Sequence, residues 1–184
     1  MSADGRPDED LAARAKAGER ACFEVLVRRH KEHLYGFLRR YVGHSDDAYD
    51  ILQDCFVAAW LGLRGYDAQR PFLPWLRTIA LNKARDFARR QKIRRMVLRM
   101  FAREPRPVFI EEHADGHSQT ARLLRLDRAI AELPALYKEP LLLTVVSGLT
   151  HREVASLLKT TPKAIEMRLS RARRKLFTAL RENK

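Results

Sequence analysis

Apolar residues in this chain recur at intervals of three and four almost throughout, and no clean alternating run marks a strand. That pattern confines the chain to helices packed on helices. One segment breaks it. Between Arg94 and Gln119 come an arginine-rich start, Pro105, Pro107, Gly116 and an acidic patch at Glu111, Glu112 and Asp115. Prolines and charge without periodicity read as a flexible linker. The 184 residues therefore divide into an all-α domain over 8–93, a linker over 94–119 and a second all-α domain over 120–184. Each half is long enough for a modest single core.

The N-terminal half opens with a short helix over 8–17, stopped by Gly18. A long helix follows from Glu19 to Val42, with Phe23, Leu26, Val27, Leu34, Phe37, Leu38 and Tyr41 on one face and Gly43 as its stop. Ser45 is placed to cap the next helix, with Asp46 and Asp47 in its first turn and an end near Leu63. Its core stripe is Ala48, Ile51, Leu52, Cys55, Phe56, Ala59 and Leu63. The opposite face carries Asp50, Gln53, Asp54, Val57 and Leu61. Acids leading into aliphatics on a surface the core cannot use suggest a protein partner. A loop over 64–71 leads to a helix from Phe72 to Gln91. Thr78, Asn82, Arg85, Asp86 and Arg89 share its outer face, with Arg77, Lys83 and Arg90 beside them. Amide, carboxylate and guanidinium groups in one row can bond base edges and phosphates. Tyr66, Phe72 and Trp75 could stack an unpaired base or fill the core, and core is the expectation for Phe72 and Trp75.

The segment from Leu149 to Leu176, LTHREVASLLKTTPKAIEMRLSRARRKL, holds two helices and a break. Thr150 and Glu153 have capping-box spacing. Thr161 and Pro162 restart the chain as cap and first helical residue. Ile165, Leu169, Ala172 and Leu176 form a buried stripe, while the outer face is basic. This is a helix-turn-helix, and its second helix suits the major groove. Lys163, Ala164, Glu166 and Met167 are expected at base edges, and Arg168, Arg171, Arg173 and Arg174 at phosphates.

Charge agrees with a polyanionic partner. Lys and Arg number 36 against 23 Asp and Glu, a formal charge of +13. Cys22 and Cys55 are far apart among apolar neighbours, which suggests free buried thiols in a reducing compartment. The N-terminus MSADGRPDED has no hydrophobic signal core, and no apolar run approaches a membrane span. A cytoplasmic protein without membrane insertion is expected. His30 and His33, and His113 and His117 around Asp115, lack a third ligand at suitable spacing, so no metal or other cofactor is expected. No nucleophile–base set and no phosphate-cradling glycine loop is present, so neither an enzyme nor a small-molecule substrate is expected. The basic stretch from Ile93 to Arg103 reads as a phosphate-facing extension of the helix before it.

In order and over nearly the whole chain, Leu11 to Leu180, the sequence resembles the extracytoplasmic-function sigma factors of bacterial RNA polymerase. DAYDILQDCFVAAW resembles the family's polymerase-docking segment. PFLPWLRTIALNKARDFARRQ is similar to its helix that reads and melts the minus-ten element, and the C-terminal segment to its minus-thirty-five reader. The resemblance implies a sigma factor that binds core RNA polymerase and directs promoter-specific initiation. Asp50, Gln53, Asp54, Val57 and Leu61 would meet the polymerase, and the loop Arg64 to Arg70 would take a flipped base. Promoter DNA and an anti-sigma factor are the further partners it implies. The C-terminal pattern is shared with LuxR-type regulators, so a stand-alone helix-turn-helix regulator is the alternative. Lys159 stands where the family usually has a turn glycine. Pro140 falls inside an expected helix, where it would remove a hydrogen bond unless the helix begins near Lys138.

Overall fold

A computed structural model describes residues 5–101 and 119–182. Eight α-helices account for nearly all of them: α1 (Asp8–Lys16), α2 (Arg20–Val42), α3 (Ser45–Gly62), α4 (Phe72–Phe101), α5 (Gln119–Glu132), α6 (Ala135–Val145), α7 (His151–Leu157) and α8 (Pro162–Glu182). A 3-10 turn, Leu63–Gly65, follows α3. No strand occurs among the described residues.

In the N-terminal half, α1, α3 and α4 pack against α2. Leu11, Leu26, Leu38, Cys55, Phe72, Leu76 and Leu81 are all but inaccessible to solvent. Two polar ties fix α1. Its Asp8 carboxylate accepts from Arg29 at 2.7 Å and from His30 Nε2 at 2.6 Å. Its Glu9 accepts the Phe72 backbone N–H at 3.0 Å, so one helix satisfies an orphan donor at the start of another. Gly43 ends α2 at φ 88°, in the left-handed region that glycine enters without strain.

The C-terminal half buries Leu142, Leu143, Val154 and Ile165 at its centre. At the head of α7 the capping box is complete. Thr150 Oγ1 accepts from Glu153 N at 3.3 Å, and Glu153 Oε2 accepts from Thr150 N at 2.8 Å. The turn into α8 passes through Lys159 at φ 51°. The chain needs a left-handed residue here, and a Cβ-bearing one supplies it.

α4 continues to Phe101, past Arg94 where the linker was expected to begin, in keeping with the basic stretch from Ile93 read as an extension of that helix. From Lys92 to Phe101 there is neither glycine nor proline, so nothing stops the helix, and Lys92, Arg94 and Arg95 are exposed on it. Two expectations need correction. Ser45 is the first residue of α3 and not its cap. That position is His44, which makes no side-chain cap bond. The α6 helix does not begin near Lys138. It starts at Ala135 and runs through Pro140, which is fully buried. Pro105, Glu111, Glu112, His113, Asp115 and His117 lie outside the described residues.

The two halves touch along a seam where α2 packs against α5 and α6, and α4 reaches across it through Arg77 and Arg85. Leu34, Phe37, Ala80 and Leu143 meet there. Beside them an open cleft of about 690 Å3 remains between Val42, Phe87, Ala131 and Lys138, so the seam is only partly packed.

Candidate polymerase and nucleic-acid surfaces

Three surfaces stand out, each on a helix whose other face is buried. On α3, Ala48, Ile51, Leu52, Cys55 and Ala59 face the core. Asp50, Gln53, Asp54, Val57 and Leu61 all lie on the exposed side, with Val57 58% and Leu61 71% accessible. Tyr49 and Trp60, which the sequence reading missed, widen the patch at 57% and 38% exposure. Trp60 leans on Phe23 at 5.1 Å between ring centroids and Tyr49 on Tyr35 at 6.5 Å, so both rings are held from beneath while their outer faces stay open. Their spacing of four and seven from Gln53 was the available signal.

On α4 the expected DNA row separates into two groups. Thr78, Asn82, Arg89 and Arg90 are exposed, Lys83 and Asp86 half-buried. Asp86 is ion-paired with Arg89. Arg77 and Arg85 are engaged within the chain. Arg85 gives a fork of two hydrogen bonds to Glu139, Nε–Oε1 at 2.8 Å and Nη2–Oε2 at 2.6 Å. Glu139 is only 6% exposed and also accepts from Tyr41 Oη at 3.1 Å. The pairing holds the guanidinium of Arg85 more firmly protonated than usual, and burial, with the nearby Glu139 carboxylate, pushes the Tyr41 phenol well above its ordinary range. Arg77 donates to the Ser147 carbonyl at 2.6 Å. Sequence alone could not separate these two arginines from the rest, because their partners lie 54 and 70 residues away.

Tyr66 and Phe72 are core residues, 2% and 0% exposed, and Trp75 is half-buried against them at 5.0 and 5.5 Å. The Tyr66 hydroxyl donates to the Arg70 carbonyl and so braces the loop from inside. Arg64, Asp67, Gln69 and Arg70 remain exposed on that loop.

On α8, Thr161 Oγ1 accepts from Ala164 N at 3.2 Å and caps the helix as its spacing implied. Lys163, Glu166, Met167, Arg171, Arg173 and Arg174 are exposed, and Ala164 and Arg168 half-buried. The stripe Ile165, Leu169, Ala172 and Leu176 is buried. The arrangement presents one basic helix, edge-on, with its first turn free.

Burial pushes the Cys55 thiol up to about 12 and raises that of Cys22, so neither is poised as a nucleophile. No cluster of metal-ligating side chains exists among the described residues, where His30 is committed to Asp8. No described helix is long and apolar enough to cross a membrane.

Residues 26–94 match the model of sigma-70 region 2, and residues 123–176 match that of sigma-70 region 4. The chain is 34% identical over 178 residues to RNA polymerase sigma factor NccH of Alcaligenes xylosoxydans xylosoxydans, covering 96% of both chains. It is 35% identical over 179 residues to RNA polymerase sigma factor CnrH of Cupriavidus metallidurans, covering 94% of both. The solved structure of CnrH in complex with the cytosolic domain of CnrY superposes with a TM-score of 0.71 at 32% identity, over the whole of both chains. Both region models match in one chain, which does not favour the stand-alone regulator alternative. The chain belongs to the extracytoplasmic-function family of RNA polymerase sigma factors, proteins that direct promoter-specific initiation of transcription.

Proposed function

We propose that α3 is the polymerase-docking face, that α4 and the loop before it read the minus-ten element, and that α8 reads the minus-thirty-five element. The observation that carries this reading is the exposed stripe Asp50, Gln53, Asp54, Val57 and Leu61 on α3. A helix with a complete buried face has no internal use for Val57 and Leu61 at 58% and 71% exposure. Thr78, Asn82, Lys83, Asp86, Arg89 and Arg90 serve the minus-ten strand directly. Arg77 and Arg85 join them only once Ser147 and Glu139 have let go. Lys163, Ala164, Glu166 and Met167 face bases upstream, and Arg168, Arg171, Arg173 and Arg174 hold phosphates.

The working units in this reading are two domains, 8–93 and 120–184, joined by 94–119. The chain acts on cytoplasmic RNA polymerase as a binding factor with no catalysis of its own. CnrH, at 32% identity, was solved with the cytosolic domain of CnrY, and a protein partner of that kind, an anti-sigma factor, is proposed here too.

The test is reconstituted transcription from a promoter template with core polymerase. Asp54→Arg reverses a charge on the α3 patch without touching the core. It should abolish co-purification with core polymerase and promoter-dependent transcripts while leaving the helical circular dichroism unchanged. Retention at wild-type yield would remove α3 from the docking role.

A further inference from the structure

From Pro162 to Arg181, helix α8 carries Lys163, Arg168, Arg171, Arg173, Arg174, Lys175 and Arg181, and a single acid, Glu166. That acid lies in the second turn, on the exposed side, with its side chain 62% accessible. Its Oε2 accepts from Lys163 Nζ at 3.2 Å. Both side chains lie in the part of a recognition helix that meets base edges.

A carboxylate in a DNA groove is repelled by the phosphates on either side. It therefore weakens binding to every sequence that offers it no proton donor. Only cytosine N4 and adenine N6 present an amino group in the major groove. Beside adenine N6 lies the N7 lone pair, which repels the carboxylate a second time, whereas cytosine N4 is flanked on its open side by C–H. Cytosine is the favoured base.

The lysine completes the match. In a C·G pair, cytosine N4 and guanine O6 are hydrogen-bonded to each other and so lie roughly 3 Å apart. The Lys163 ammonium and the Glu166 carboxylate are 3.2 Å apart, so a donor and an acceptor stand at the same spacing. Lysine pairs with guanine O6 and N7, and glutamate with cytosine N4. We propose that the Lys163–Glu166 ion pair reads one C·G base pair of the upstream promoter element, making it the main specificity determinant on α8. This rests on the assignment of α8 to that element. At 78% and 62% exposure the lysine offsets the carboxylate's repulsion only in part, and replacement of the base pair by G·C, A·T or T·A leaves the carboxylate facing an acceptor or an ill-placed donor.

The experiment is single-round transcription by holoenzyme assembled from the full chain and its cognate core polymerase. Templates carry each of the four base pairs at every position of the upstream element. The wild-type chain should prefer cytosine at one position by about 5- to 100-fold, the range of a good base contact. Glu166→Ala should flatten that position alone and raise transcription from the non-cytosine templates, because the repulsion has gone. Glu166→Gln should move the preference toward adenine, which glutamine bonds at N6 and N7. Lys163→Ala should weaken the same position without inverting it. Identical base profiles for wild type and Glu166→Ala would overturn the proposal while leaving α8 as the upstream reader. Loss of all upstream-element dependence in the wild type would overturn the α8 assignment itself.

Discussion

Glu139→Ala should open the seam between the two halves. The Glu139 side chain is 7% exposed and sits on α6, yet its three bonds all cross to the N-terminal half. Hydrogen bonds to a charged group contribute about 1.5–3 kcal/mol each before the partner is rehydrated. Breaking a fully buried ion pair costs roughly 3–5 kcal/mol. The Arg85 side chain is 43% exposed, so water regains it when the carboxylate is removed, and the upper figure does not apply. The Tyr41 hydroxyl belongs to a residue 3% exposed and recovers less. A net weakening of about 2 kcal/mol follows, equivalent to a roughly 30-fold shift toward the open arrangement. Other ties across the seam among the described residues include the Arg77–Ser147 bond, an Arg40–Asp127 ion pair at 3.3 Å, and Lys138 Nζ donating to the Tyr41 carbonyl at 3.0 Å, and none of them replaces the lost fork.

Dyes at two exposed positions, Glu32→Cys and Ser156→Cys, would report the opening by energy transfer. Cys22 and Cys55 are buried and should stay unlabelled. Wild type should give a single short distance, and Glu139→Ala a broad or longer one. Arg85→Ala should open the seam by nearly as much. The double variant should be no worse than either alone, because the two residues share one interaction. Unchanged energy transfer in Glu139→Ala, or fully additive effects in the double variant, would refute the argument that this carboxylate clasps the halves.

Burial pushes Lys138 down to about 8, so between about pH 8 and 10 the unfolded chain holds a proton that the folded chain has lost, and stability should rise with pH. Chemical denaturation across that window should show a gain of up to about 3 kcal/mol, absent in Lys138→Met. Iodoacetamide at pH 8 should leave both thiols of the native protein unmodified for hours and label both promptly in urea, since Cys55 is held up to about 12. Lys159→Gly relieves a side-chain-bearing residue at φ 51° and should raise the unfolding free energy by about 0.5–1 kcal/mol; a loss would mean that the Lys159 side chain, not the backbone, fixes the turn.

How far the sequence reveals this protein depends on where the partner of each side chain lies. Periodicity located the four helices of the N-terminal half and the last two of the chain, because a buried stripe at three- and four-residue spacing is a property of a single segment. The boxes and caps of the last two helices were legible for the same reason. Thr150 finds Glu153 and Thr161 finds the Ala164 amide within one turn. The exposed stripe on α3 could be read by subtraction, as what remains when Ala48, Ile51, Leu52, Cys55 and Ala59 are assigned to the core. Tyr49 and Trp60 escaped because large aromatics next to a core stripe are ordinarily inside.

What local pattern left unread, apart from the cap of α3, involves either an inferred interruption or a distant partner. The linker was expected to begin at Arg94, although the basic stretch from Ile93 also read as an extension of α4, and the helix does continue to Phe101. Arg77 and Arg85 look like their neighbours Thr78, Asn82 and Arg89 in every local respect. What distinguishes them is the Glu139 carboxylate and the Ser147 carbonyl, on a part of the chain whose placement no local pattern specifies. An arginine on a helix face can answer to a phosphate or to a carboxylate with the same fork of donors. A surface composed for a polyanion is thus also the surface most easily covered by the chain's own acids, and periodicity alone cannot say which of the two it meets in the free protein.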